Sequence, residues 1–118
     1  MAKILIIDDS SFARNNLKKN LQQAGYSIVE AANGAQGLEL AQQENPDLIT
    51  LDLLMPGMTG QETLPHLKKI CPEAKIIILS ADIQTFVREE LLAAGANAFL
   101  NKPAVTAELL ETIAQLLK

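Results

Sequence analysis

Cysteine is close to absent from this chain of 118 residues. Cys71 stands alone, so no internal disulfide can form and the core must hold without such staples. Long apolar runs are missing as well. None reaches the length of a bilayer span, and the opening Met1-Ala2-Lys3 leads into a short apolar stretch without a signal-peptide pattern. Positive charge is scarce, with 10 Lys and Arg against 14 Asp and Glu and a net charge of −4, which argues against a surface for nucleic-acid phosphates. Nothing in the sequence is left over for a linker or tail. These absences leave a soluble, cytoplasmic protein with no direct nucleic-acid or membrane partner. At 48% hydrophobic residues it suits one compact domain over residues 1–118 that buries its own core.

What is present is organised around Asp47-Leu48-Ile49-Thr50-Leu51-Asp52. A buried strand is expected here, ending where Asp52 emerges at its carboxyl edge. Pro56 and Gly57 then permit a tight turn, and Thr59 with Glu62 three residues on has the capping-box spacing of a new helix. Asp52 therefore lies at the mouth of a strand-loop-helix unit.

The remainder of the chain repeats that pattern. Ile4-Leu5-Ile6-Ile7, closed by Asp8-Asp9, has the profile of a strand covered on both faces. Ser10 or Ser11 offers a cap for an amphipathic helix through Phe12, Leu17, Leu21 and Ala24, with Arg14, Lys18 and Lys19 interspersed and Gly25 ending it. Tyr26 to Glu30 reads as a second strand, and Asn33 with Gln36 can cap a helix running to Asn45-Pro46. The third helix, from about Thr59 to Ile70, contains Pro65 and is expected to be irregular. Ile76 to Leu79 makes a fourth strand ending in Ser80. Phe86, Val87, Leu91 and Leu92 mark the next helix, Ala98-Phe99-Leu100 a short fifth strand, and Thr106 is expected to cap a last helix carrying Leu109, Leu110, Ile113, Leu116 and Leu117 on one face. Five such leucines and isoleucines in so short a helix could leave one or two for a partner.

Five strand-helix units without a hairpin signal imply right-handed crossovers and a doubly wound α/β domain with a parallel sheet. Ligands of such sheets bind beyond the carboxyl ends of the strands. Strands one, three, four and five end in Asp8-Asp9, Asp52, Ser80 and Lys102. Helix capping or loop solvation would account for any one of these, but the four together point to a shared site. Three carboxylates in one crevice repel each other unless a cation neutralises them, and an all-oxygen set suits Mg²⁺, or Mn²⁺, better than zinc. With the Lys102 ammonium and the Ser80 hydroxyl opposite, the result is a pocket for a tetrahedral dianion, with Asp52 as a covalent phosphoryl acceptor.

The chain resembles the receiver domain of bacterial two-component response regulators, most closely the stand-alone chemotaxis type. The resemblance is carried by Asp8-Asp9-Ser10, by Leu51-Asp52 with Met55-Pro56-Gly57-Met58-Thr59-Gly60 after it, by Leu79-Ser80-Ala81 and by Lys102-Pro103. It implies a flavodoxin-like sheet of five parallel strands in the order 2-1-3-4-5 with five helices. It further implies that Asp52 takes a phosphoryl group from a phosphohistidine on a sensor histidine kinase or phosphotransfer protein. Asp9, Asp52 and the backbone carbonyl of Leu54 would bind Mg²⁺, with Asp8 acting mainly through water and Lys102 pairing with the phosphoryl oxygens. Ser80 would move toward the phosphoryl group and Phe99 would turn inward, switching the surface of the fourth helix, fifth strand and fifth helix for a downstream protein target. The family also implies a cis Lys102-Pro103 bond.

Several positions depart from the family pattern. Leu54 offers no polar side chain beside the metal, Phe99 lacks the hydroxyl of the more familiar tyrosine and could equally be an apolar filler, and Ala104 replaces a bulkier residue. Asp82 suits a helix cap better than a gate over Asp52. His66 and Cys71 do not align on one helical face, so neither reads as a ligand or nucleophile. The reading is a signalling domain rather than an enzyme. Two alternatives stand beside it: a docking domain that ignores phosphorylation, and a metal-dependent phosphohydrolase, which usually needs a second acid near the nucleophile where this chain has Leu54. A flavin-binding domain of the same topology fits poorly, because Asp8-Asp9 would repel phosphate.

Overall fold

Short apolar runs flanked by turn residues become strands, and the amphipathic stretches between them become helices. The computed structural model describes residues 2–81, 85–102 and 106–118. In order these form β1 (Lys3–Ile7), α1 (Ser11–Gln23), β2 (Ser27–Ala31), α2 (Gly34–Glu44), β3 (Leu48–Leu51), α3 (Gly60–Ile70), β4 (Lys75–Ser80), α4 (Thr85–Ala93), β5 (Ala98–Asn101) and α5 (Thr106–Leu116). The strands make one parallel sheet in the order β2-β1-β3-β4-β5. This is the flavodoxin-like doubly wound arrangement expected from the sequence, with β1 and β3 flanking the point where strand order reverses.

Alternation along the strands builds two cores. Leu5, Ile7, Ile49, Leu51, Ile76 and Ile78 pack with Ala41, Leu64, Leu67 and Leu91 beneath α2, α3 and α4. Ile4, Ile6, Leu48, Ile77, Leu79 and Leu100 face the other way, onto Leu21 of α1 and Leu109 and Ile113 of α5. Because both faces are covered, the central strands are near-continuous apolar runs, with buried Thr50 in β3, rather than alternating ones. The five apolar residues expected on the last helix all contribute: Leu109 and Ile113 are buried, and Leu110, Leu116 and Leu117 pack partly buried against the same cluster.

Caps set the helix boundaries. Ser10 and Asn33 accept from the amides of Ala13 and Gln36, and Thr59 with Glu62 forms the reciprocal capping box. Gly25 follows α1 at φ +98°, a turn that a side chain would strain.

Four local expectations are corrected. The second strand begins one residue later than Tyr26 and runs to Ala31. α3 runs unbroken through Pro65 instead of being irregular. Pro65 is exposed in the second turn, where its missing amide costs the helix one hydrogen bond, to the carbonyl of exposed Gln61. Thr106 is the first residue within α5 rather than its cap, and its hydroxyl accepts from Asn20 Nδ2 at 3.4 Å, tying α5 to α1. Phe12, in the first turn of α1, is 76% exposed instead of being buried with Leu21. Asp82, the Lys102-Pro103 bond, Ala104 and the side chains of Phe86 and Val87 lie outside the described residues.

Ile113 is the buried centre of the α1/α5 core, so Ile113→Ala should destabilise the fold by about 2–5 kcal/mol, whereas Leu110→Ala, half-buried on the same helix, should cost less than half as much. Urea unfolding of the two variants measures both.

Candidate functional site

The sheet register delivers the acidic residues to one place. Ile7 is paired with Ala31 on β2 and with Leu51 on β3, so Asp8 and Asp52 step off neighbouring strands at the same level. Their amides stay anchored, Asp8 to the carbonyl of Ala31 at 3.1 Å and Asp52 to that of Ile7 at 3.0 Å. Across the sheet Ser80 is level with Asn101, and the amide of Lys102 donates to the Ser80 carbonyl at 2.9 Å. From there the Lys102 side chain reaches back over the strand ends. Its Nζ lies 2.6 Å from Asp8 Oδ2 and 3.2 Å from Asp52 Oδ2.

Each buried carboxylate is thus held at both oxygens. Asp8 Oδ1 accepts from the Ser10 amide at 2.9 Å, and Asp52 Oδ1 accepts from the Leu54 amide at 3.2 Å, while Lys102 takes the second oxygen of each. Asp8 and Asp52 are only 2% and 6% exposed, and Asp9 is open to solvent. One carboxylate oxygen from each of Asp8, Asp9 and Asp52 lies within 4.8 Å of the other two, a spacing that could hold a metal ion. The donors are all hard oxygens, the set expected of Mg²⁺ or Mn²⁺.

Electrostatics follow from this burial. Burial pushes the Asp52 carboxyl above the ordinary carboxylate range, aided by the charge of Asp8, and the opposing pull of Lys102 and the Leu54 amide does not fully cancel it. For Lys102 burial acts to lower the amine. The hydrogen bond to Asp8 and the charges of Asp52 and Asp8 outweigh it, so the ammonium is held above the usual lysine value. Two buried anions share one half-buried cation, and the surplus negative charge is what a dication would neutralise.

The remaining sequence candidates lie around this cluster. Ser80 is fully buried at the end of β4, and its hydroxyl has no hydrogen-bond partner among the described residues. Phe99, paired with Ile78 on the neighbouring strand, is half-buried, with the Arg88 guanidinium 5.9 Å from its ring centre. Leu54 is 67% exposed, so its contribution to the cluster comes from its backbone. Cys71 is buried, its thiol pushed up by desolvation and directed at the Ala41 carbonyl, consistent with a packing role.

Two residues matter here that sequence reasoning passed over. Gly60 opens α3 against the backbone that follows β3: a methyl group there would collide with the Asp52 carbonyl oxygen and lie 2.8 Å from Leu53 Cα. Its position directly after the Thr59 cap was the available signal. Arg14 donates from Nη1 to the Asp8 carbonyl at 2.7 Å and pairs with Glu30 at 3.4 Å. It is one of only two arginines in the chain, a weak hint at most.

Comparison with known proteins gives a consistent answer. Residues 4–114 match the response regulator receiver domain family. The chain is similar to the chemotaxis protein CheY of Bacillus subtilis, with 40% identity over 112 residues, and to that of Thermotoga maritima, with 38% over 112 residues. In both cases the match covers 94% of this chain and 93% of the relative. Its structure superimposes on Vibrio cholerae chemotaxis protein CheY4 with a TM-score of 0.94 at 34% identity, covering 99% of each chain. Among the described residues no helix is long and apolar enough to cross a membrane. The chain therefore belongs to the response regulator receiver domain family, the signalling domains of two-component systems.

Proposed function

We propose that the chain is a single receiver domain, residues 1–118, that accepts a phosphoryl group on Asp52 from a phosphohistidine of a sensor histidine kinase or phosphotransfer protein. The observation that carries this reading is the shared Lys102 ammonium between two buried carboxylates whose third, exposed neighbour completes an oxygen cluster. In the transfer, the phosphorus–nitrogen bond of the donor breaks as an Asp52 Oδ–phosphorus bond forms. The electron pair returns to the imidazole nitrogen, which regains its proton. Bound at Asp8, Asp9, Asp52 and the Leu54 carbonyl, Mg²⁺ would neutralise charge on the phosphoryl oxygens. Lys102 holds one Asp52 oxygen and the Leu54 amide the other, which fixes the orientation of the carboxylate, and one of these contacts would yield as the bond to phosphorus forms.

The Ser80 hydroxyl, buried and without a hydrogen-bond partner among the described residues, is a donor in reserve at the carboxyl end of β4, and an unsatisfied buried hydroxyl carries a free-energy penalty that a phosphoryl oxygen would relieve. Phe99 on the next strand is the element through which that shift would reach the α4-β5-α5 surface and a downstream protein. A groove of about 510 Å³ beside Lys102, lined by Phe12, Leu17, Leu79 and Ala81, gives a donor protein an apolar footing next to the acceptor.

Incubation with Mg²⁺ and acetyl phosphate should add one phosphoryl group, seen in the intact mass, and Asp52→Asn should abolish it. No labelling from any donor would leave a docking role alone, and sustained turnover of phosphoesters would favour a hydrolase. Stability supplies a second check. Folding raises the Asp52 carboxyl, so the stability associated with its protonated form is present at low pH and lost as the pH rises through the folded-state value. In EDTA at pH 7, Asp52→Asn should therefore melt several degrees above wild type, at roughly 4 °C per kcal/mol, and the gap should close on acidification.

A further inference from the structure

The function proposed above uses Asp9 as a metal ligand, yet Asp9 is exposed, so the direction of its carboxylate is set mainly by the backbone it hangs from. That backbone is clamped at Asp8. The Asp8 amide is tied to Ala31, its carboxylate to the Ser10 amide and Lys102, and its carbonyl, the oxygen of the Asp8–Asp9 peptide plane, to Arg14 Nη1 at 2.7 Å. Arg14 is itself aimed. Its Nε lies 3.4 Å from Glu30 Oε1, while the other Glu30 oxygen pairs with Lys18 at 3.1 Å, and the Arg14 side chain is only 17% exposed. A planar guanidinium can span the Asp8 carbonyl and the Glu30 carboxylate at once, which a lysine ammonium on a flexible stem does not reproduce.

We propose that Arg14, oriented by Glu30, is the positioning residue that fixes the Asp8–Asp9 peptide plane and so sets the Asp9 carboxylate in register with Asp8 and Asp52 for a divalent ion. The inference rests on the phosphoacceptor reading and adds a residue to it. Two physical effects oppose each other at this position. As a charge, Arg14 repels a dication and its loss would tighten binding. As a clamp, its loss would scatter the Asp9 ligand and weaken binding, with partners of ligating groups typically worth 10- to 100-fold in affinity. The short, half-buried contact to a carbonyl and the neutralising Glu30 beside it make the clamp the larger effect.

Calorimetric titration of the intact chain with Mg²⁺ and, separately, Ca²⁺ tests this in wild type, Arg14→Ala, Arg14→Lys and Glu30→Gln, with urea unfolding in EDTA establishing that each variant is folded. Mg²⁺ demands near-ideal octahedral geometry and Ca²⁺ tolerates irregular shells. Arg14→Ala should thus weaken Mg²⁺ by about 10- to 100-fold and Ca²⁺ by distinctly less. Arg14→Lys should resemble Arg14→Ala, and Glu30→Gln should fall between Arg14→Ala and wild type. Unchanged or tighter Mg²⁺ binding in Arg14→Ala, equal losses for the two ions, or wild-type affinity in Arg14→Lys would each overturn the inference while leaving the phosphoacceptor reading intact. Should Arg14→Ala fail to fold, Arg14→Lys carries the decision alone. Wild-type protein that takes up no Mg²⁺ would overturn both.

Discussion

One ammonium group governs the carboxyl end of this sheet. Lys102 Nζ lies within hydrogen-bond distance of both Asp8 and Asp52, two carboxylates that are almost wholly removed from water. Without it, two adjacent anions in a low-dielectric crevice would repel each other and be driven toward protonation. With it, they remain close, yet the balance is incomplete: one positive charge faces two buried negatives and a third at the rim. That residual imbalance is what a dication at Asp8, Asp9 and Asp52 would neutralise.

Everything else in the fold serves to bring those groups to one level. β1 and β3 pair so that Ile7 faces Leu51, and the next residue on each strand is an aspartate. β4 and β5 pair so that Ser80 faces Asn101, and the next residue on β5 is Lys102. The registers are fixed by two-sided cores, since slipping one residue would exchange the residues packed under α2, α3 and α4 for those packed under α1 and α5. Gly60 allows α3 to begin against the backbone of Asp52 and Leu53, closer than any side chain at that position would permit. The core thereby sets the electrostatics, and the position of Asp52 depends on residues far from it.

Much of this was legible in the chain. Apolar runs ending abruptly in Asp8-Asp9, Asp52, Ser80 and before Lys102 announce strands with polar residues at their carboxyl ends, and the caps at Asn33 and Thr59 are local signals that the structure bears out. What escaped was contact between distant segments. Arg14 was legible only as a charge interspersed in an amphipathic helix, because its partners, the Asp8 carbonyl and Glu30, are brought together only by packing α1 across β1 and β2. Phe12 matched the helical period and still lies in solvent, since periodicity gives the face a residue is on but not what packs against it. Pro65 suggested disruption, but an exposed second-turn proline frees a carbonyl that water can satisfy. Thr106 had the right chemistry for a cap and is placed one step inside the helix.

The most direct test of the central claim is the titration of the Asp52 carboxyl by carbon-13 NMR in metal-free protein, in wild type and in Lys102→Met. If Lys102 is the counter-charge for a buried pair, the wild-type Asp52 carboxyl titrates above the ordinary carboxylate range and moves higher still when the ammonium is removed. A wild-type carboxyl that titrates as in a model peptide, or one unmoved by Lys102→Met, would contradict the account.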